Sequence, residues 1–327
     1  MRIRCLSAAA AVLSCSMLFT GISEAKTVLR LGHIWTPSEI HSRAAVAFAE
    51  EVSKLTDGEL TIQIFGGGAL GQEKELLEGM KIGANDMWIG GSAILSNASE
   101  TAKILSMPFM FDSIDHFKKV YDGKLGEELT ETILKESGYK VLAYWVRGPR
   151  WLTTKASVRI PEDLSGMKIR VPESPVSIQF WRGFGAAPTP MNFGEVYTAL
   201  QQGVIDGQEN PLSLIYTSKF STVVKYLGKT EHVFEPIVPV IHIDRFNSLT
   251  PQQQEALIKA ANGVAKTLAE TEVVKGETDF VALLKKEGMT VVDVDKAAFQ
   301  ARAMPVLEAQ FPALKPLYER FANAKDD

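Results

Sequence analysis

Two arginines, one aromatic residue and one amide in this chain of 327 residues have the types and positions that an organic anion requires. Arg150 and Arg170 lie 20 residues apart, each near the end of a predicted strand. Phe193 opens a predicted helix, and Asn210 follows a short predicted strand. Guanidinium groups pair with carboxylates through two parallel hydrogen bonds, a phenyl ring supplies apolar contact, and an amide can hold an arginine in place. The pattern favours a cleft that binds a carboxylate.

The same residues also have ordinary structural interpretations. Arg170 lies in the alternating stretch of residues 166–172 and could be a solvated arginine on a strand face. Phe193 could be a core or hydrophobic-staple residue, and Asn210 a turn residue before Pro211. The residues alone leave both interpretations open.

Catalytic and cofactor motifs are weak. Gly66-x-Gly68-x-x-Gly71 lies between a predicted strand and helix, as a dinucleotide-binding loop does, but the next predicted strand ends in Gly90 and Gly91 instead of an acidic residue. The five histidines form no His-Glu-x-x-His motif, and no Gly-x-Ser-x-Gly elbow is present. We therefore expect no cofactor, no metal and no catalytic site. A periplasmic enzyme remains a remote alternative, which turnover of a bound acid would reveal.

Residues 1–25 have the features of a secretory signal peptide: a positive end, an apolar run at residues 6–19 and a small-x-small site that ends at Ala25. The sequence thus predicts cleavage after Ala25 and a soluble periplasmic product. Lipidation of Cys15 is disfavoured because the apolar run continues beyond it. A net charge of −4 gives no reason to expect a nucleic-acid partner.

Apolar periodicity predicts alternating strands and helices. Strands at residues 28–32, 60–65 and 87–90 alternate with helices at 44–55 and 72–82, a rhythm typical of a parallel sheet with crossover helices. Further helices are predicted at residues 117–134, from Ser174-Pro175 and from Asn192, whose spacing to Glu195 suits a capping box. Further strands are predicted at residues 139–146, 166–172, 204–207, 229–234 and 238–243.

The longest predicted element begins at Thr250. Thr250, Pro251 and Gln253 combine a cap, a first-turn proline and a capping-box glutamine. A helix of nearly 40 residues from this point would be roughly 55 Å long, and it would reach across two domains.

An ordered series of segments resembles the extracytoplasmic solute receptors of tripartite ATP-independent periplasmic (TRAP) transporters. The series is Gly148-Pro149-Arg150, residues 161–171, residues 185–201 and residues 206–211. The resemblance implies an α/β fold with two lobes, each a mixed sheet flanked by helices, and a long helix that spans both. Lobe I would comprise residues 26–147 plus 236–275, and lobe II residues 148–235 plus 276–327.

In receptors of this kind the residue matching Arg170 makes the principal salt bridge to a ligand carboxylate, and the residues matching Arg150, Phe193 and Asn210 line the same cleft. The resemblance also implies two partners, a small-molecule carboxylate and the membrane subunits of a TRAP permease. It implies a mostly monomeric receptor and leaves dimerisation as an alternative. A receptor for another transporter type is an alternative that neighbouring permease genes would test.

Further residues bear on the ligand. Glu173 and nearby polar residues fit a sugar acid such as a uronate, whereas Trp35, Trp88 and Gly90 fit an aromatic or branched acid. His33 is a further candidate for ligand specificity. Similar receptors for highly polar acids often carry a polar or acidic side chain near the end of the third strand, where this chain has residues 88–92, Trp-Ile-Gly-Gly-Ser. The extra room and apolar wall expected there put a very small C4-dicarboxylate in doubt, so a monocarboxylate sugar acid is the preferred expectation.

Two residues are expected near the hinge. Glu209 and His232 follow predicted cleft strands, and a polar link between them there is a hypothesis.

Overall fold

The strands form two mixed sheets in the computed structural model, which describes residues 26–324. The predicted signal peptide lies outside the described residues. The first sheet has the order β2-β1-β3-β10-β4, with strands β1 (Thr27–Gly32), β2 (Leu60–Phe65), β3 (Met87–Gly91), β4 (Tyr139–Val141) and β10 (Ile237–His242). The second has the order β11-β9-β5-β8-β6-β7, with strands β5 (Arg150–Thr154), β6 (Lys168–Val171), β7 (Ala187–Pro190), β8 (Gly207–Pro211), β9 (Tyr226–Gly228) and β11 (Thr290–Val292).

Helices flank both sheets. They are α1 (Ile40–Leu55), α2 (Glu73–Gly79), α3 (Ile114–Tyr121), α4 (Lys124–Ser137), α5 (Pro175–Arg182), α6 (Val196–Gln202), α7 (Leu212–Thr217), α8 (Ile243–Asn247), α9 (Pro251–Asn262), α10 (Val264–Lys286), α11 (Lys296–Gln310) and α12 (Lys315–Asn323). Among the described residues, no helix is long and apolar enough to span a bilayer.

The start of the chain follows the predicted rhythm. Strand β1 pairs in parallel with both β2 and β3, and α1 and α2 provide the crossovers. Helix α1 buries Ala45, Phe48 and Val52, which belong to the periodic stripe that predicted it. Strand β10 then enters between β3 and β4 and is antiparallel to both, so the sheet is mixed as expected. The glycine-rich loop is a turn between β2 and α2, where Gly67 and Gly68 have φ values of +64° and +77°.

The strands of the two sheets fall within the two sets of segments that were assigned to lobes I and II. Helix α10 packs on both α1 and α7, which follow strands of different sheets. The long helical segment from residue 251 to 286 thus bridges the two sheets, as expected. The assignment of every other segment to a lobe stays a prediction.

Two predicted strands are wrong where the chain passes between the sheets. Only Tyr139–Val141 of the strand predicted at residues 139–146 is a strand, and the chain then crosses from β4 to β5. The strand predicted at residues 229–234 is a second crossing segment that follows β9. The first crossing segment pairs with the start of β10, at Trp145 and Ile237. Buried extended chain has the same apolar composition as a strand, so periodicity could not separate the two.

The strand predicted at residues 204–207 is displaced. Strand β8 begins at Gly207 and continues through Gln208, Glu209 and Asn210, all of which are buried. Polar residues usually signal exposure, but these have partners inside the protein, as described below.

The long helix is interrupted at Gly263, between α9 and α10, which the prediction missed. A Cβ atom at residue 263 would lie 2.9 Å from the Lys259 carbonyl oxygen, so the bend depends on the missing side chain. The predicted capping box at Thr250 is present, because the Gln253 N–H donates to the Thr250 hydroxyl and the Gln253 side chain accepts from the Thr250 N–H.

Other helix boundaries also differ from the expectation. The helix predicted at residues 117–134 is two helices, α3 and α4, which are separated at Asp122 and Gly123. A short 3-10 turn at Phe193–Glu195 precedes α6, and the Asn192 side chain makes no capping hydrogen bond. Gly203 ends α6 with φ +77°, as expected of a C-cap.

Replacement of Thr250 by alanine should lower the free energy of unfolding by about 1 kcal/mol, because the Gln253 N–H would lose its acceptor. Urea unfolding of the variant measures this loss. Gln252→Ala, an exposed change in the same turn, is the control and should have little effect. Equal losses in both variants would contradict the role of the cap.

Candidate functional site

The strand order of the second sheet brings the predicted site residues together. Strand β8, which carries Asn210, lies between β5, which begins at Arg150, and β6, which carries Arg170. Arg170 is aligned with Gln208, and because side chains alternate along a strand, Asn210 lies on the same face one step further on.

These residues line a narrow cavity between the two sheets. Its walls come from both, namely Ile34, Glu73, Gly91, Ala93, Ile94, Arg147, Arg150, Arg170, Pro172, Phe193, Asn210 and Glu235. An adjoining cavity continues past Arg170 to Lys74 and Glu173. The cleft is therefore lined by both charged and apolar side chains.

Arg170 is buried, with 3% of its surface exposed, so the interpretation as a solvated strand residue is wrong. Its Nε and Nη2 donate to the Met191 carbonyl oxygen at 3.1 and 2.8 Å, and its guanidinium lies 5.7 Å from the centre of the Phe193 ring. Among the described residues, no Asp or Glu forms an ion pair with it. Burial lowers the pKa of Arg170 to about 10, so the group stays protonated at neutral pH.

Arg150 forms ion pairs with the carboxylates of Glu209 and Glu235. Its Nη2 donates to Oε1 of Glu209 at 2.7 Å, and its Nε donates to Oε2 of the same residue. His232 Nε2 lies 3.0 Å from Glu209 Oε2, and His232 Nδ1 lies 2.8 Å from the Thr230 hydroxyl. Since a carboxylate only accepts, Nε2 carries the proton. The hypothesised polar link between Glu209 and His232 is therefore present, while its role at a hinge stays a prediction.

The ion pair sets the charge of Glu209. Burial alone would raise the pKa of its carboxyl group, but the charge of Arg150 and the hydrogen bonds from Arg150 and His232 lower it to about 2. Burial lowers the pKa of His232 against the opposing effect of Glu209, so this ring is neutral at pH 7.

Glu235 lies between two guanidinium groups. Its Oε2 accepts from Nη1 of Arg147 and from Nη1 of Arg150, each at 3.0 Å, and its Oε1 accepts from the Ala93 N–H at 2.6 Å. Arg147 Nη2 also lies 3.4 Å from Asn210 Oδ1. Both crossing segments thus contribute a charged side chain to the cleft.

Glu73 supplies a further carboxylate at the start of α2. Its Oε1 accepts from the Gly91 N–H at 3.0 Å, and it forms no ion pair with the described residues. Burial raises the pKa of this carboxyl group. Arg170 and Glu73 are accordingly the two ionisable groups of the cavity lining that have no ion-pair partner among the described residues.

The remaining predicted residues are less central. Glu173 lines the adjoining cavity and lies 4.0 Å from Lys74. His33 and Trp35 are buried and stack on each other, with ring centres 5.4 Å apart, and the Trp35 N–H donates to His33 Nδ1. Ile34, between them, lines the cavity instead. Direct contact of His33 or Trp35 with a ligand is therefore not supported by this geometry.

Sequence reasoning missed Arg147, Glu235 and Glu73. The first two lie on crossing segments without periodicity, and Glu73 resembles an ordinary first-turn acid of a helix. The closeness of Arg147 to Arg150 in the sequence was the one available signal.

Another buried carboxylate joins elements of the two sheets. Glu39, the cap of α1, accepts from the hydroxyl groups of Ser213 at 3.0 Å and Thr217 at 2.8 Å, both on α7. Its Oε1 also lies 3.6 Å from His41 Nδ1. Burial opposes ionisation, but these partners keep the pKa of Glu39 below its usual value. No cluster of His, Asp or Glu suited to a metal ion occurs among residues 26–324.

The fold and cleft define a solute-binding protein with two sheets around a central site, and comparisons with known proteins agree. A family model described as bacterial extracellular solute-binding protein, family 7, matches residues 31–313. The chain belongs to this family, which is the DctP family of TRAP solute-binding proteins. The family consists of receptors and not of enzymes.

Three relatives illustrate the similarity. A solute-binding protein of Roseobacter denitrificans is 38% identical over 89% of each chain, and its structure with bound L-galactonate superposes with a TM-score of 0.87 over 91% of this chain and 99% of that one. A periplasmic 2,3-diketo-L-gulonate-binding protein of Escherichia coli is 35% identical over 86% of each chain. A TRAP solute-binding protein from Bordetella, with density assigned to pantoate, is 34% identical, with a TM-score of 0.87 over 91% of this chain and 99% of that one.

Replacement of Glu209 by glutamine should lower the free energy of unfolding by about 3 kcal/mol, because it leaves the buried charge of Arg150 with one carboxylate fewer. Chemical denaturation at pH 7 measures the change. Glu162→Gln, which breaks an exposed pair with Arg302, is the control and should cost less than about 0.5 kcal/mol. A loss in Glu209→Gln as small as in the control would show that the buried pair contributes no net stability.

His33 should make stability depend on pH. Burial lowers its pKa from 6.5 to about 4, so the unfolded chain binds a proton in this range while the folded protein does not. Stability is then fully present above pH 6.5 and falls by up to about 3 kcal/mol as the pH decreases to 4. His33→Asn should show a shallower decrease in denaturation experiments, with pH 8 as the reference for packing effects. An unchanged slope would contradict the assignment.

Proposed function

We propose that this protein is a periplasmic receptor that binds the carboxylate of an organic acid through Arg170. The observation that carries the proposal is a buried guanidinium that lines a cavity and whose hydrogen-bond acceptor among the described residues is a backbone carbonyl, with no carboxylate partner there. A buried charge without a counter-ion is costly, and a bidentate carboxylate would compensate it. Asn210 and Phe193 line the same cavity and would supply a polar contact and an apolar wall.

The ligand is a monocarboxylate sugar acid. Glu73 lines the cavity, and one of its carboxyl oxygens makes no hydrogen bond with the described residues and can accept one from a ligand hydroxyl group. Once Arg170 is neutralised by one carboxylate, no unpaired cation remains among the charged residues that line the cavity. The relatives that bind L-galactonate and 2,3-diketo-L-gulonate support a polyhydroxylated acid.

A branched acid is the second candidate. Ile34, Ile94 and Phe193 form an apolar part of the cavity wall, and the Bordetella relative has density assigned to pantoate. A C4-dicarboxylate is disfavoured because its second carboxylate would meet no unpaired cation among the residues that line the cavity.

Closure of the two lobes on the ligand would then present it to the membrane subunits of a TRAP permease. Lobe I comprises residues 26–147 plus 236–275, and lobe II comprises residues 148–235 plus 276–327. Water exclusion on closure would strengthen the bond between Arg170 and the carboxylate, and the bound anion would stabilise the closed arrangement. The link between Glu209 and His232 lies beside the crossing segments, where the lobes would hinge.

A thermal-shift screen of residues 26–327 against carboxylates tests the function. L-Galactonate or D-glucuronate at about 1,000 times its dissociation constant should stabilise the protein by roughly 4 kcal/mol. Arg170→Gln should abolish the shift, and Arg170→Lys should retain part of it because a point charge remains. Arg302→Gln, on an exposed arginine, is the control and should respond as the wild type does. A shift of equal size in Arg170→Gln would refute the assigned role of Arg170.

A further inference from the structure

We propose that Arg147 is a specificity-determining residue of the cleft, which binds the neutral oxygen atoms of a polyhydroxylated acid while Arg170 binds its carboxylate. The inference rests on the proposed function and extends it to a second guanidinium group. It assigns the recognition of hydroxyl groups to a residue on the crossing segment between β4 and β5.

The position of Arg147 suits direct contact with a ligand. Its guanidinium is only 9% exposed, yet it lines the same cavity as Arg170. The bonds to Glu235 and Asn210 use Nη1 and Nη2 once each. A guanidinium carries five N–H donors, so others remain for oxygen atoms in the cavity. Glu235 also fixes the side chain, which leaves little rotamer freedom to be lost on binding.

Gly91 makes room for this arginine. A Cβ atom at residue 91 would lie 2.9 Å from Arg147 Nη1 and 3.0 Å from Glu235 Oε1. Glu235 is held by the Ala93 N–H at 2.6 Å, so Arg147 is the group that would have to move. The missing side chain at the end of β3 and the arginine on the crossing segment therefore form one structural unit.

The charge balance separates the roles of the two arginines. The carboxylate of Glu235 already compensates Arg147, whereas Arg170 has no carboxylate partner among the described residues. A compensated guanidinium still donates hydrogen bonds but attracts a second anion only weakly. Arg147 thus favours hydroxyl and carbonyl oxygens over another carboxylate. A site that hydrogen-bonds hydroxyl groups discriminates strongly against acids that lack them.

Isothermal titration with L-galactonate and with pantoate, which has fewer hydroxyl groups, tests the proposal at fixed pH and salt. Arg147→Gln should weaken L-galactonate binding by about 10- to 100-fold and pantoate binding much less. Gly91→Ala should shift selectivity in the same direction, and the double variant should bind no worse than Arg147→Gln alone, because both changes disturb one unit. Arg302→Gln is the matched control and should bind as the wild type does.

The outcomes separate this inference from the proposed function. L-Galactonate binding by Arg147→Gln within about threefold of the wild type would overturn the inference. Equal losses for both acids, with a lowered melting temperature of the unliganded protein, would show that Arg147 only compensates Glu235 and would overturn it as well. Retained acid binding in Arg170→Gln, or a wild type that binds neither acid, would instead overturn the proposed function.

Discussion

The compensation of buried charge between the two sheets constrains the rest of the cleft. Removing a charged group from water costs several kcal/mol, and a partner must offset that cost. Arg150 binds Glu209 with two nitrogens, and Glu235 is shared between Arg147 and Arg150. Each of these residues lies on or beside a strand end or a crossing segment, so the chain path and the charge pattern depend on each other. Compensation is incomplete at Arg170, and this is where the cavity is open to an anion.

The sequence predicted the part of the site that lies on strands. Arg150, Arg170 and Asn210 were recognised because each lies at or near the end of a strand, and the sheet order then makes those strands neighbours. Arg147 and Glu235 could not be found in this way, because they lie on crossing segments and meet through a contact between residues far apart in the sequence. His33 and Trp35 have suitable side chains, but the backbone turns both of them away from the cavity into mutual contact.

The fold was predictable where periodicity and local capping agree. The parallel strands β1, β2 and β3 and the start of α9 follow from such signals. Sequence patterns did not identify two kinds of segment. These are buried crossing segments that resemble strands, and a buried strand that carries polar residues. The sequence predicts exposure for Gln208, Glu209 and Asn210 of strand β8 because they are polar. Their partners on other elements explain why they are buried. Gly263 interrupts the long helix through close backbone contacts that no sequence period encodes.

The two hydrogen bonds from Arg170 to the Met191 carbonyl oxygen have a consequence for binding thermodynamics. An arginine side chain loses about 2 kcal/mol of rotamer entropy when it is immobilised. Since Met191 and the Phe193 ring already restrain this side chain, most of that loss occurs during folding and not when the ligand arrives. Binding at this arginine should accordingly carry a small conformational-entropy penalty on the protein side, with desolvation and the motion of the lobes as the main opposing contributions.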